Sequence, residues 1–161
     1  MELITILHNV RSIHNVGSIF RTADAVGCSK IYLAGITPTP IDRFGLPNKA
    51  LIKVALGAEK MVQWEQVSST LAVMEKLRQA GYTVIALELS EKAVSLFAKS
   101  LKKLKLKKAA LILGAEVDGL PPEILDKADL IIKIPMRGQK ESLNVSVAFG
   151  IAAYVLTSNN N

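Results

Sequence analysis

Cysteine is almost absent from this chain of 161 residues, which contains only Cys28. A single cysteine excludes an internal disulfide and any zinc site that is built from several cysteines. We therefore expect a reducing compartment, with Cys28 as a buried, inert thiol beyond a helix that ends at Gly27. His8 and His14 have no cysteine or carboxylate cluster at metal-ligand spacing, so the sequence predicts no metal centre.

Long hydrophobic runs and targeting signals are also missing. The longest apolar stretch covers residues 145–156, is interrupted by Ser146, and is too short for a membrane span. Residues 3–7 are too few for the core of a signal peptide, and Glu2 precedes them. The sequence therefore predicts a cytoplasmic protein with no membrane partner.

The common nucleotide-binding fingerprints do not occur. No G-x-G-x-x-G follows the first strand-like run, and no G-x-x-x-x-G-K-[ST] is present, which disfavours dinucleotide oxidoreductases and nucleoside triphosphatases. No serine lies in a G-x-S-x-G elbow, the usual position of the nucleophile in one large class of hydrolases.

What the chain does have is enough apolar material for a substantial core. Half of its residues are hydrophobic, and its length favours one domain, which we expect over residues 1–158 with a polar tail at 159–161. The formal net charge of +6 fits a polyanionic partner, although many other proteins share such a value.

Strand-like and helix-like patterns alternate along the chain. Short β-branched runs predict six strands, at residues 3–7, 30–34, 61–66, 82–87, 109–113 and 130–134. Between and after them, helices are predicted near residues 17–26, 50–60, 68–80, 121–125 and 144–157, with a long proline-containing loop at 35–47. This alternation indicates an α/β fold with a mainly parallel six-stranded sheet that carries helices on both faces.

Three polar segments that contain or adjoin glycine follow strand-like runs, at residues 15–18, 114–116 and 135–144. Ligands of parallel sheets bind at the carboxyl ends of the strands, so we expect these segments to converge on one site. Backbone donors and acceptors near Gly114 and Pro135 suit a planar ring such as adenine.

Three motifs in this order resemble those of the SpoU-type, or TrmH-like, branch of the SPOUT RNA methyltransferases. They are Asn15-x-Gly17-x-x-x-Arg21, then Leu113-Gly114-Ala115-Glu116-x-x-Gly119-Leu120, and then Ile134-Pro135-Met136 with Ser142-Leu143-Asn144-Val145-Ser146-Val147-Ala148. The resemblance runs from Leu3 to about Leu156. It implies a C-terminal deep trefoil knot, S-adenosylmethionine as cofactor, 2′-O-methylation of a ribose in tRNA or rRNA, and a homodimer with shared active sites.

The resemblance also assigns roles to individual residues. It places five residues in the catalytic site: Asn15, Arg21, Glu116, Ser142 and Asn144. It assigns cofactor binding to Leu113, Gly114, Glu116, Ile134, Met136, Ser142 and Leu143. Basic side chains in or beside the site segments are the candidates for RNA contacts: Arg11, His14, Arg21, Arg43 and Arg137. Because a guanidinium stays protonated, we expect Arg21 to position the RNA through a phosphate rather than to act as a base.

Each of these assignments has a structural alternative. Asn15 would serve equally as a helix cap, Arg21 as a surface partner of Asp24, and Ser142 and Asn144 as caps of the last helix. The lysines of residues 99–108 form either a solvated face or a track for an RNA backbone. At the level of function, the alternatives are a non-catalytic RNA-binding or assembly factor that retains the knotted fold, and an enzyme acting on a small metabolite.

Overall fold

A computed structural model of the protein describes residues 1–158, apart from the side chain of Lys102. The predicted polar tail at 159–161 lies outside the described residues. The sheet contains seven strands: β1 (Glu2–His8), β2 (Lys30–Ala34), β3 (Gln63–Val67), β4 (Thr83–Leu87), β5 (Val94–Ser95), β6 (Lys108–Leu113) and β7 (Leu130–Lys133).

The strands lie in the order β3-β2-β1-β6-β4-β7-β5, and every neighbouring pair is parallel. In the register of the central strands, Ile6 of β1 pairs with Tyr32 of β2 on one side and with Ile112 of β6 on the other. The predicted parallel α/β architecture is confirmed. The predicted count of six strands is wrong, because β5 has two residues and is too short to show a hydrophobic pattern.

Within the described residues, seven helices flank the sheet: α1 (Ile13–Val26), α2 (Lys49–Ala55), α3 (Ala58–Met61), α4 (Thr70–Gln79), α5 (Lys99–Lys102), α6 (Pro122–Leu125) and α7 (Val145–Ser158). The helix predicted over residues 50–60 is two helices. It is interrupted because Leu56 and Gly57 both have positive φ angles, of 54° and 93°.

The first turn of α1 differs from the prediction that a helix begins near Gly17 with Asn15 as its cap. The helix begins at Ile13, and the Ser12 hydroxyl caps it by accepting a hydrogen bond from the Asn15 N–H at 3.2 Å. Gly17 is therefore part of a helix and not of a ligand loop. A Cβ atom at Gly17 would lie 2.8 Å from Cβ of Val54, so the glycine allows α1 and α2 to pack closely.

Two apolar cores cover the two faces of the sheet. One joins β1 residues such as Leu3 to α1, α2 and α7, and the other joins Ile6 and its neighbours to α4 and α6. Helix α7 is apolar almost all round, and such a helix is ordinarily buried on both sides. Phe149 is fully buried, but Val147 and Tyr154 are each 50% exposed, so one side of α7 lies uncovered in the single chain.

The strand order brings four carboxyl ends together, because β6 lies between β1 and β4, and β7 lies beside β4. The segments that leave these strands therefore meet at one edge of the sheet. The trefoil knot that the resemblance implies stays a prediction. No helix within residues 1–158 has the length and apolar character needed to cross a membrane.

Candidate functional site

A cavity of about 450 Å³ lies at the carboxyl ends of β4, β6 and β7. All seven residues predicted to bind the cofactor line it, namely Leu113, Gly114, Glu116, Ile134, Met136, Ser142 and Leu143. Asn144 also lines this cavity, with Val145 and Ala148 of the first turns of α7. The segments after β6 and β7 therefore converge, as the sequence predicts.

Gly114 is required by the tight turn that forms one wall of this cavity. A Cβ atom at Gly114 would lie 2.3 Å from the carbonyl carbon of Gly119 and 2.6 Å from the nitrogen of Leu120. The Gly119 N–H donates to the Ala115 carbonyl oxygen at 3.0 Å, which closes the turn. Only glycine permits the backbone to approach this closely.

Three polar side chains from distant segments form a continuous network beside the cavity. Asn144 donates from Nδ2 to Oδ1 of Asn15 at 3.0 Å, and Asn15 in turn donates from Nδ2 to Oε1 of Glu116 at 3.0 Å. Asn15 is only 6% exposed, so its amide is fixed within the protein. Asn15 does not cap the helix, because Ser12 does so. The Asn15 side chain forms the network instead.

The Glu116 carboxylate accepts two further hydrogen bonds from the segment that opens α1. The backbone N–H groups of Arg11 and Ser12 each donate to it at 3.0 Å. Burial opposes the charged form, but these bonds and the one from Asn15 hold the pKa of Glu116 below its ordinary value. Glu116 is therefore ionised at neutral pH, and it ties β6 to the segment that follows β1.

Asn144 has two functions at the start of α7. Its Oδ1 atom accepts from the backbone N–H of Ser146 at 2.9 Å and from the Ser146 hydroxyl at 2.7 Å, so the predicted capping role is present. Its Nδ2 atom meanwhile faces Asn15. The Ser142 hydroxyl has no hydrogen-bond partner among residues 1–158, which leaves it available to a ligand.

Arg21 is not brought to this cavity. It is exposed on α1, is absent from the cavity lining, and makes no ion pair or hydrogen bond within the described part of the chain. The alternative pairing with Asp24 does not form either. The side chain is therefore presented to solvent and takes no part in the network of Asn144, Asn15 and Glu116.

The other basic candidates lie mainly around the carboxyl edge of the sheet. Arg11 and His14 flank the Glu116 network and are exposed, and Arg11 pairs with Asp118 at 3.4 Å. Arg137 follows the cavity residue Met136, and Arg43 belongs to the segment after β2; both are exposed. By contrast, the lysine run ends at the amino end of β6, on the opposite edge from the cavity.

Glu88, directly after β4, also lines the cavity and is a site residue that is not among the sequence predictions. Its carboxylate accepts from the backbone N–H of Leu89 at 2.9 Å and of Leu120 at 2.8 Å, and so braces the turn that contains Gly119. The available signal was its position, since a carboxylate that directly follows a predicted parallel strand lies at the ligand-binding edge.

Known proteins match this chain over nearly its whole length. A model of the SpoU rRNA Methylase family matches residues 2–154. The tRNA (guanosine(18)-2′-O)-methyltransferase of Aquifex aeolicus is 33% identical over 95% of this chain and 67% of its own length. The 23S rRNA (guanosine-2′-O-)-methyltransferase RlmB of Pseudomonas syringae is 34% identical over 94% of this chain, which spans only 56% of that relative. The crystal structure of an AdoMet-bound rRNA methyltransferase from Sinorhizobium meliloti matches 98% of this chain and 56% of that one, with a TM-score of 0.83 and 29% identity.

Proposed function

The chain belongs to the SpoU rRNA methylase family, and we propose that it transfers a methyl group from S-adenosylmethionine to a ribose 2′-hydroxyl in tRNA or rRNA. One observation carries this proposal. The Asn15–Glu116–Asn144 network lies beside a single cavity that is lined by all seven predicted cofactor residues. Both curated relatives described above are named as RNA 2′-O-methyltransferases, and the matching crystal structure from Sinorhizobium meliloti is AdoMet-bound.

The residues of the cavity fit S-adenosylmethionine. The glycine turn at Gly114 exposes backbone groups to a ring, and Ile134, Met136 and Leu143 supply apolar surface in a volume of about 450 Å³. When bound there, the cofactor would supply a methyl group on a positively charged sulfur: the ribose oxygen would gain the methyl group, the S–CH3 bond would break to leave a neutral thioether, and the hydroxyl proton would pass to the neighbouring phosphate or to solvent.

The side chains of the network position the reactants. Glu116, held ionised, fixes the Asn15 amide, which in turn fixes Asn144 at the cavity wall. Ser142 and Asn144 then orient the reacting groups, while Arg21 binds a phosphate next to the reactive ribose. Arg11, His14, Arg43 and Arg137 contact the remainder of the RNA backbone.

A second copy of the chain completes this site. Arg21 does not line the cavity of its own chain, and the exposed stripe of α7 that contains Val147 and Tyr154 offers an apolar surface for the partner. In this arrangement Arg21 serves the cavity of the other copy. The homodimer, the single domain over residues 1–158 and the cytoplasmic location are all parts of the proposal.

Mapping of 2′-O-methylated positions in RNA from cells with and without the gene tests this function. We expect at least one tRNA or rRNA position to lose its methyl group without the gene and to regain it with a plasmid copy. An unchanged map, in cells where the protein is expressed, would contradict the proposal and favour the non-catalytic RNA-binding factor.

A further inference from the structure

The segment between β2 and α2 exposes an unusual amount of apolar surface. Four large side chains face solvent there: Ile36 at 63%, Ile41 at 48%, Phe44 at 72% and Leu46 at 61% exposed. Clustered exposed apolar residues mark interaction sites, because isolated proteins seldom keep such patches. Phe44 is the one aromatic residue between β2 and α2, and it lies at the tip of the segment.

Hydrogen bonds hold this tip in one conformation. The Asp42 carboxylate accepts from the N–H groups of Phe44 at 2.8 Å and Leu46 at 2.9 Å, and Gly45, with φ of 78°, donates its N–H to the Asp42 carbonyl oxygen. An antiparallel bridge between Ile41 and Pro47 closes the base of the turn. Since the turn is formed in advance, a ligand of Phe44 does not have to order it.

A positive charge accompanies the aromatic ring. The guanidinium carbon of Arg43 lies 4.8 Å from the centroid of the Phe44 ring, and Lys49 is exposed at the start of α2. An aromatic face for a base, next to a cation for its phosphate, is the combination that binds single-stranded nucleic acid. The positive charge favours an RNA strand over an apolar protein partner.

The start of this segment is hydrogen-bonded to residues that lead into the candidate site. Asn9 accepts from the N–H of Ile36 at 3.1 Å, and the Thr37 hydroxyl accepts from the N–H of Val10 at 3.2 Å. Val10 precedes Arg11, whose N–H binds Glu116. A strand of RNA in contact with the cavity therefore has the Phe44 turn on the same edge of the sheet.

We propose that Phe44 is a stacking platform for an unpaired base of the RNA substrate, with Arg43 in contact with the adjoining phosphate. This inference rests on the proposed function, since it assumes that RNA reaches the cavity beside it. A shallow cavity of about 370 Å³, bordered by Thr37, Asn48 and Phe44, gives a base room beside the ring.

Binding of a fluorescein-labelled, mixed-sequence single-stranded RNA and of unfractionated tRNA tests the proposal. Phe44→Ala should weaken binding by at least about fivefold, whereas Phe44→Trp retains it. The matched control is Phe97→Ala, because Phe97 is 51% exposed and follows β5, the strand that lies farthest from β2 in the sheet. Arg43→Ala should reduce the slope of log affinity against log salt by about 0.7, and Phe44→Ala should leave that slope unchanged.

Fluorescence gives a second measurement that does not depend on activity. The new indole of Phe44→Trp should be quenched when RNA is added, and that of Phe97→Trp should not. Equal affinity of Phe44→Ala and Phe97→Ala, or a change in sedimentation of Phe44→Ala that shows a lost dimer, would overturn the inference. If the wild-type protein still methylates RNA in that case, only the inference fails; if it neither binds nor methylates RNA, the proposed function fails as well.

Discussion

Asn144 donates a hydrogen bond to Asn15 across 3.0 Å, although the two residues are 129 positions apart in the chain. The bond joins the start of α7 to the first helix, and Asn15 continues it to Glu116. The candidate site is therefore assembled from three separate segments by two side-chain amides and one carboxylate.

Replacing Asn15 by alanine should separate these segments. The variant loses both amide hydrogen bonds, so we expect methyl transfer to fall by about a hundredfold because the reacting groups are misplaced. The free energy of unfolding should drop by about 1–3 kcal/mol, since Asn144 and Glu116 each lose a partner. Steady-state kinetics and urea unfolding measure the two effects. Activity at the wild-type level would show that the network does not position the reactants.

Glu116 should make stability depend on pH. Its folded-state pKa lies below the ordinary value of 4.5, so its ionised form stabilises the fold above that pH. As the pH falls from 4.5 through the lower folded-state pKa, this contribution is lost. Urea unfolding between neutral pH and pH 3 gives the free energy of unfolding of wild type and Glu116→Gln. The difference between the two proteins should shrink as the pH falls. A difference in free energy of unfolding that stays constant over that range would contradict a stabilising role for ionised Glu116.

Gly114→Ala should damage the cofactor cavity directly. The new Cβ would meet backbone atoms of Gly119 at 2.3–2.4 Å, which cannot move aside without opening the turn. We expect loss of S-adenosylmethionine binding in calorimetry and a destabilisation of about 1–3 kcal/mol. Gly138→Ala is the matched control, because a Cβ there meets no atom within 4 Å. Equal binding by both variants would place the cofactor elsewhere.

Arg21→Ala should abolish methyl transfer and leave cofactor binding intact. Arg21 is exposed and absent from the lining of its own cavity, so its removal should change the free energy of unfolding by no more than about 0.5 kcal/mol. Arg21→Lys should restore little activity if the contact to phosphate is bidentate. Loss of S-adenosylmethionine binding by a folded Arg21→Ala protein would count against the role proposed for this residue.

The uncovered side of α7 should be the dimer surface. Tyr154→Glu puts a charge on the exposed stripe and should produce a monomer in sedimentation, with activity lost. Leu104→Glu is the control, since Leu104 is similarly exposed, at 47%, but lies in the segment after α5 and not on α7. A dimeric and active Tyr154→Glu protein would exclude this surface.

Much of the fold is legible in the sequence because its buried parallel strands are continuous apolar runs. The strand at residues 30–34 is predicted residue for residue, and Gly27 ends α1 with a left-handed φ of 73°, as expected. The elements that were missed have two residues in β5 and four in α5. Segments of that length are too short to show a hydrophobic period, so only tertiary contacts decide whether they form a helix or a strand.

The candidate site was predicted less evenly. All seven residues that the motifs assign to cofactor binding line the cavity. The motifs do not show, however, which polar residue caps α1. Ser12 and Asn15 are both good caps by type, and the choice depends on Glu116, which lies 101 positions from Asn15 and holds its amide. A single sequence does not display that contact. Glu88 was recognisable only by its position directly after a predicted strand, because its contact with the distant Leu120 is not visible in a sequence either.

The most direct test of the account is to incubate the purified protein with methyl-labelled S-adenosylmethionine and unmodified tRNA and rRNA, and then to hydrolyse the RNA in alkali. Alkali cleaves next to free 2′-hydroxyls, so a methylated ribose protects its linkage. We expect the label to appear in alkali-resistant dinucleotides with the wild-type protein and to be absent with Arg21→Ala. Label found only in alkali-sensitive mononucleotides would mean that a base is methylated, and it would contradict the account.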